Sequence, residues 1–61
     1  GKIERKRSVA QNQPVIAGTR ITVRSIQAFA KAGYSAKEIN EQYPDITLRD
    51  IEAAIHYEDA A

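Results

Sequence analysis

Ser35-Ala36-Lys37-Glu38-Ile39-Asn40-Glu41-Gln42-Tyr43-Pro44-Asp45-Ile46-Thr47-Leu48-Arg49-Asp50-Ile51 writes the same helix start twice, on either side of one proline. Ser35 is a residue whose side-chain oxygen can take a free backbone N–H at a helix N-terminus. Glu38, three positions on, can return the bond to Ser35, which makes a capping box. Tyr34 before the cap and Ile39 past it form a hydrophobic staple over the same turn. Thr47 and Asp50 repeat the box, and Ile46 with Ile51 repeats the staple. Pro44 stops the first of these helices, because a proline has no N–H for the ladder and its ring clashes with the preceding turn. Only Pro44, Asp45, Ile46 and Thr47 separate the two. Helices joined by so short a turn cross sharply, and that is the helix-turn-helix arrangement.

Working outward, Thr22 is the N-cap of an earlier helix that ends at Gly33, a natural residue for the position after a helix C-terminus. Its apolar stripe is Val23, Ile26, Phe29 and Ala30. The second helix is expected to bury Ala36, Ile39 and Tyr43, and the third Leu48, Ile51 and Ile55. Before the helices, Ile3 and Val9 share one side of a two-residue alternation with Arg5 and Arg7, which reads as a charged edge strand or an arm. Gln11-Asn12-Gln13 leads into a turn at Pro14. Val15 and Ile16 then form a short second strand that Gly18 closes. The fold class expected is mainly α: a three-helix, homeodomain-like helix-turn-helix bundle preceded by one or two short N-terminal β-strands. It is one domain over 1–61, with a basic arm and short strands at 2–17 and the trihelical part at 22–60.

A chain of 61 residues has room for one small core, since a domain of this size buries only about 60% of the surface its unfolded chain exposes. It has no cysteine, so neither disulfides nor a thiolate zinc cluster can reinforce it. No apolar run approaches the ~18 residues of a membrane span, and no apolar stretch follows the basic N-terminus as in a secretory signal. A cytoplasmic protein with no membrane partner is the expectation.

The net charge of +1 hides a strong asymmetry. Residues 1–31 carry seven basic side chains against one acid, and residues 32–61 carry two basic against seven acidic. Such polarity points to nucleic acid at one end and a different partner at the other, or to a solvated surface. On helical geometry, the outward stripe of the first helix is Arg24, Ala28 and Lys31. That of the third is Arg49, Ala53, His56 and Tyr57, continued by Ala60. The DNA-contacting candidates are therefore Arg5, Lys6, Arg7, Arg20, Arg24, Lys31, Arg49 and His56. The small, aromatic-edged patch of Ala53 and Tyr57 is the candidate seat for a protein partner. Asp50 and Glu52 border the third helix and would meet phosphates there, which weighs against that helix as the DNA reader.

Chemistry beyond binding is poorly provided for. His56 is the only histidine, so Glu52, His56 and Asp59 read as a surface ion-pair set and not as a metal face. Ser35 is accounted for as a cap, and Gly18 stands alone, without the glycine-rich run of a phosphate loop. No catalytic residue, metal or cofactor is assigned, and the chain is expected not to be an enzyme.

The segment Pro14-Val15-Ile16-Ala17-Gly18-Thr19-Arg20-Ile21-Thr22-Val23 resembles the signature of the bacterial domain-of-unknown-function family four hundred thirty-three, itself similar to VapB-type antitoxins. The likeness continues through Ala32-Gly33-Tyr34-Ser35, Glu38-Ile39, Tyr43-Pro44, Thr47-Leu48, Asp50-Ile51 and Ala53-Ala54 to Tyr57. It covers roughly residues 12–58. Where that family often has Gly-Gly-Lys before the proline, this chain has Gln11-Asn12-Gln13. The resemblance implies an antitoxin-like component of a bacterial type II toxin–antitoxin system. Such a protein binds and neutralises a PIN-like ribonuclease toxin and represses its own operon by binding operator DNA. Gly18 and Thr19 read as turn-formers, while Arg20 is balanced between a carboxylate and a phosphate. The alternatives are a stand-alone DNA-binding regulator without a toxin, and a dimerisation module with neither activity. A homodimer through the N-terminal strands is the expected assembly, because two short strands alone are marginal.

Overall fold

The computed structural model of the chain describes residues 2–5 and 13–58. Two strands, β1 (Ile3–Arg5) and β2 (Pro14–Ile16), precede three helices, α1 (Val23–Lys31), α2 (Ala36–Gln42) and α3 (Leu48–Ile55). The strands pair antiparallel with Ile3 opposite Ile16, Glu4 opposite Val15 and Arg5 opposite Pro14. Pro14 opens its strand, a position where a missing N–H costs little. The other side of β2 is tied down as well, by a bridge between Val15 and Thr22 and by the Ile16 N–H donating to the Ile21 carbonyl at 2.9 Å.

The turn out of β2 explains the Gly-Thr pair. Gly18 has φ of 79°, in the left-handed region where a side chain is disfavoured, and its N–H donates to Glu4 Oε1 at 3.2 Å. The Thr19 hydroxyl donates to the Ile16 carbonyl at 2.8 Å and accepts the Ile21 N–H at 3.0 Å. One side chain thus closes both ends of the turn. Gly18 and Thr19 are structural, as their residue types suggest.

Each helix is capped where the sequence places a cap. The Thr22 oxygen accepts from the Ser25 N–H. Ser35 with Glu38, and Thr47 with Asp50, form complete capping boxes. Gly33 follows the α1 C-cap Ala32 with φ of 100°, and the Tyr34 N–H reaches back to the Phe29 carbonyl at 3.1 Å. The Tyr34 ring lies edge-on to Phe29, with centroids 5.2 Å apart, and Tyr43 meets Phe29 the same way at 6.0 Å. The turn between α2 and α3 has a tie that local patterning did not suggest. Asn40 Nδ2 donates to the Ile46 carbonyl at 2.7 Å and to the Tyr43 carbonyl at 3.3 Å.

The core is one cluster, Ile16, Val23, Ile26, Ile39, Ile46, Ile51 and Ala54, and α1 packs most extensively on α3. Two expectations for α3 need correction. Leu48, expected in its buried stripe, is 46% exposed, while Ala54 is fully buried. The buried Ile46 precedes the cap, and Leu48 lies at the edge of the arc centred on Ile51 and Ala54. The helix also stops at Ile55, with His56 as its C-cap, and does not carry its stripe on to Ala60, which lies outside the described residues. Neither glycine nor proline marks that end. What holds it is Gln27 of α1, whose Nε2 donates to the Ala54 carbonyl at 3.0 Å and the Tyr57 carbonyl at 2.9 Å. Tyr57 therefore leaves the helix and packs, half-buried, against the core.

Removing that amide leaves the Tyr57 carbonyl without its donor at a partly buried helix end, while the Ala54 carbonyl keeps only the Tyr57 N–H at 3.2 Å. Such a loss typically costs about 1–3 kcal/mol. We expect Gln27→Leu to lower unfolding stability in urea by that order, with the amides at the end of α3 losing hydrogen-exchange protection first. A second expectation concerns acid. The backbone and hydroxyl of Ser35, bonded to the Glu38 carboxylate, hold its pKa below the usual glutamate value. A depressed carboxylate pKa contributes stability above the unfolded value that disappears as pH falls through the folded one. The melting temperature should therefore fall on acidification through this range, and Glu38→Gln should flatten that part of the profile.

Candidate nucleic-acid and partner interface

The outward residues of α1, Arg24, Ala28 and Lys31, are exposed as helical spacing predicts, and Arg20 is exposed just before them. Seven residues of helix rise about 10 Å, so Arg24 and Lys31 set two cations along one face with a small residue between. Arg5 is exposed on β1. Lys6 and Arg7, the other basic candidates of the arm, lie outside the described residues, as does Asp59.

On α3 the exposed residues are Leu48, Arg49, Glu52 and, at the C-cap, His56. The free N–H groups of a helix N-terminus favour anions, but here the Thr47 hydroxyl and the Asp50 carboxylate already occupy that end. Asp50 adds negative charge where a phosphate would approach. Ala53 is half-buried, so it is a partial floor between Arg49 and His56 and not a fully open seat. Tyr57, assigned with Ala53 to a protein partner, is carried away from the α3 stripe by the end of the helix at Ile55.

The structure instead brings Tyr57 beside Arg24. Gln13, Pro14, Val23, Arg24, Gln27 and Tyr57 line one partly open cleft of about 350 Å³ between the start of β2, α1 and the exit from α3. Gln13 and Gln27 are the residues that sequence reasoning missed. Gln27 is one of many polar residues on a helix, and only the arrival of the α3 carbonyls distinguishes it. Among the described residues no group of three His, Cys, Asp or Glu side chains is gathered as a metal site would need. Nor is any described helix long and apolar enough to cross a membrane.

No curated protein and no solved structure matches the chain. A family model does, described as "Protein of unknown function (DUF433)", over residues 3–57. That span takes in both strands, the Gly18-Thr19 turn, all three capped helices and every residue of the cleft, and the chain belongs to the DUF433 family.

Proposed function

We propose that this chain is an antitoxin-like binding protein of a bacterial type II toxin–antitoxin pair, acting in the cytoplasm by association and not by catalysis. Its first partner is a PIN-like ribonuclease toxin, and operator DNA is its second ligand. The observation that carries the reading is the character of α3. In a DNA-reading helix-turn-helix the second helix enters the groove with its N-terminal residues on base edges. Here that end is closed by Thr47 and Asp50, has Glu52 alongside, and presents an exposed leucine, Leu48. An apolar side chain on a helix whose two acids, Asp50 and Glu52, outnumber its one arginine, Arg49, suits a protein surface better than a polyanion. The other described basic residues of the candidate set, Arg5, Arg20, Arg24 and Lys31, sit on β1, before α1 and along α1, and they are the DNA-facing set in this reading. Self-association through the strands is part of it. Among the described residues the sheet has two strands of three residues each, in the order β1-β2, and so short a pair is marginal without further support.

Co-expression with the product of the adjacent gene, followed by affinity capture, tests the leading reading. We expect a stable complex, weakened roughly tenfold or more by Leu48→Asp, as for an anchor at an interface centre. No complex with the unaltered chain would defeat it. The DNA activity is tested by the affinity for upstream duplex at two salt concentrations. Neutralising phosphates releases counterions, so binding should weaken steeply as salt rises. Charge reversal at Arg5, Lys6, Arg7 and Arg24 should abolish it. Binding that is undetectable or indifferent to salt would remove DNA from the proposal.

A further inference from the structure

The cleft beside α1 has a chemistry of its own, and it stands whether or not a toxin partner exists. Gln27 anchors it. Its Nε2 donates both hydrogens, to the Ala54 and Tyr57 carbonyls, so the two acceptors settle which way the amide points. Its Oε1 is left as an acceptor held in a fixed direction. No described side-chain polar atom is both buried and without a partner, so this oxygen remains reachable from the surface. Arg24 is exposed on the same helix, three positions away on the cleft wall. Among the described residues no carboxylate pairs with it. Val23, Pro14 and Tyr57 give an apolar wall, and Gln13 adds a second amide. One cleft therefore offers a cation, a preset acceptor, a free amide and a flat apolar surface.

Size and chemistry select the occupant. About 350 Å³ is near the lower end of small-molecule sites, roughly 300–1,000 Å³. That is space for one ring system with a substituent and too little for a helix. An acidic side chain would satisfy Arg24, but an ionised carboxylate only accepts hydrogen bonds and gives Gln27 Oε1 nothing. Inorganic phosphate would leave the apolar wall unused. A heterocyclic base carries N–H donors on its edge and an apolar face, and its phosphate matches the forked guanidinium. We propose that this cleft binds a nucleoside phosphate, with the base against Pro14, Val23 and Tyr57, a base N–H on Gln27 Oε1, and the phosphate on Arg24. The same chemistry is presented by a free mononucleotide and by an unpaired nucleotide of a single strand. Lys31, one face along α1 from Arg24, would meet a neighbouring phosphate only in the second case.

The test is titration of the full chain, isotopically labelled, followed by NMR. The probes are the four nucleoside monophosphates, a single-stranded hexanucleotide, inorganic phosphate and an acidic peptide. The expected result is saturable shifts of the Gln13 and Gln27 side-chain amides and the Arg24 Nε–H with a nucleotide probe. Arg24→Ala should weaken this about tenfold or more, the fold-change for losing a charge-assisted bond. Lys37→Ala, on α2, should leave it unchanged. Arg24 and Lys37 are both exposed, so neither substitution threatens the core. Binding of mononucleotides with equal sensitivity to Arg24→Ala and none to Lys31→Ala supports the free ligand. Binding of the hexanucleotide with sensitivity to both supports the strand. The proposal is overturned if inorganic phosphate or the acidic peptide produces the same shifts at the same concentrations. It is equally overturned if no nucleotide probe moves the Gln27 amide.

Discussion

The Gln27 side chain joins the two largest helices of the molecule through hydrogen bonds to the Ala54 and Tyr57 carbonyls. A helix leaves its last carbonyls without partners inside the ladder, and α3 ends with neither glycine nor a basic residue to take them. Beside the Tyr57 N–H, which reaches the Ala54 carbonyl at 3.2 Å, α1 supplies a further donor across the bundle. That contact ends α3 after eight residues, turns Tyr57 back against the core, and forms one wall of the cleft. It also holds α1 against α3, the helices that bring Ile26 and Ile51 into the core.

Other polar side chains do comparable work at smaller scale. Thr19 closes the turn after β2, Asn40 ties the loop between α2 and α3, and the two capping boxes fix where those helices begin. A cluster of six buried aliphatic side chains and one alanine is a small hydrophobic contribution against the conformational entropy of a 61-residue chain. In such a domain side-chain to backbone bonds decide which of several loosely packed arrangements is populated. Each contributes about 1 kcal/mol, which is a large share of a marginal total.

How far the fold was legible follows from the range of these interactions. Ser35 with Glu38, Thr47 with Asp50, Thr22, Gly33 and Pro44 act within a few residues of themselves, so helix starts and turns could be read from spacing alone. Strand β2 was legible from Val15, Ile16 and the glycine that follows. The end of α3 was not, because its cause lies 27 residues away at Gln27. Leu48 was misplaced for a similar reason. Helical periodicity puts it on the border of the buried arc, and only packing around Ile46 and Ala54 decides the side. The basic face of α1 was legible, since charge at helical spacing needs no tertiary information. The cleft was not, because it assembles residues from β2, α1 and the exit of α3 that have nothing in common in sequence.

The placement of the caps has a kinetic side. Most of the interactions that define α2, α3 and their turn connect residues no more than six apart, and chains dominated by such short-range contacts close little loop entropy on the way to the native state. The carboxy-terminal helix pair can thus organise early, while the strand pairing of residue 3 with residue 16 and the clamp from residue 27 come at greater loop cost. A ligand that grips α3 meets an element shaped by its own neighbours in the chain. One that grips the cleft must wait for the whole molecule to close. The two surfaces therefore differ in the moment at which folding makes each of them available, as well as in charge.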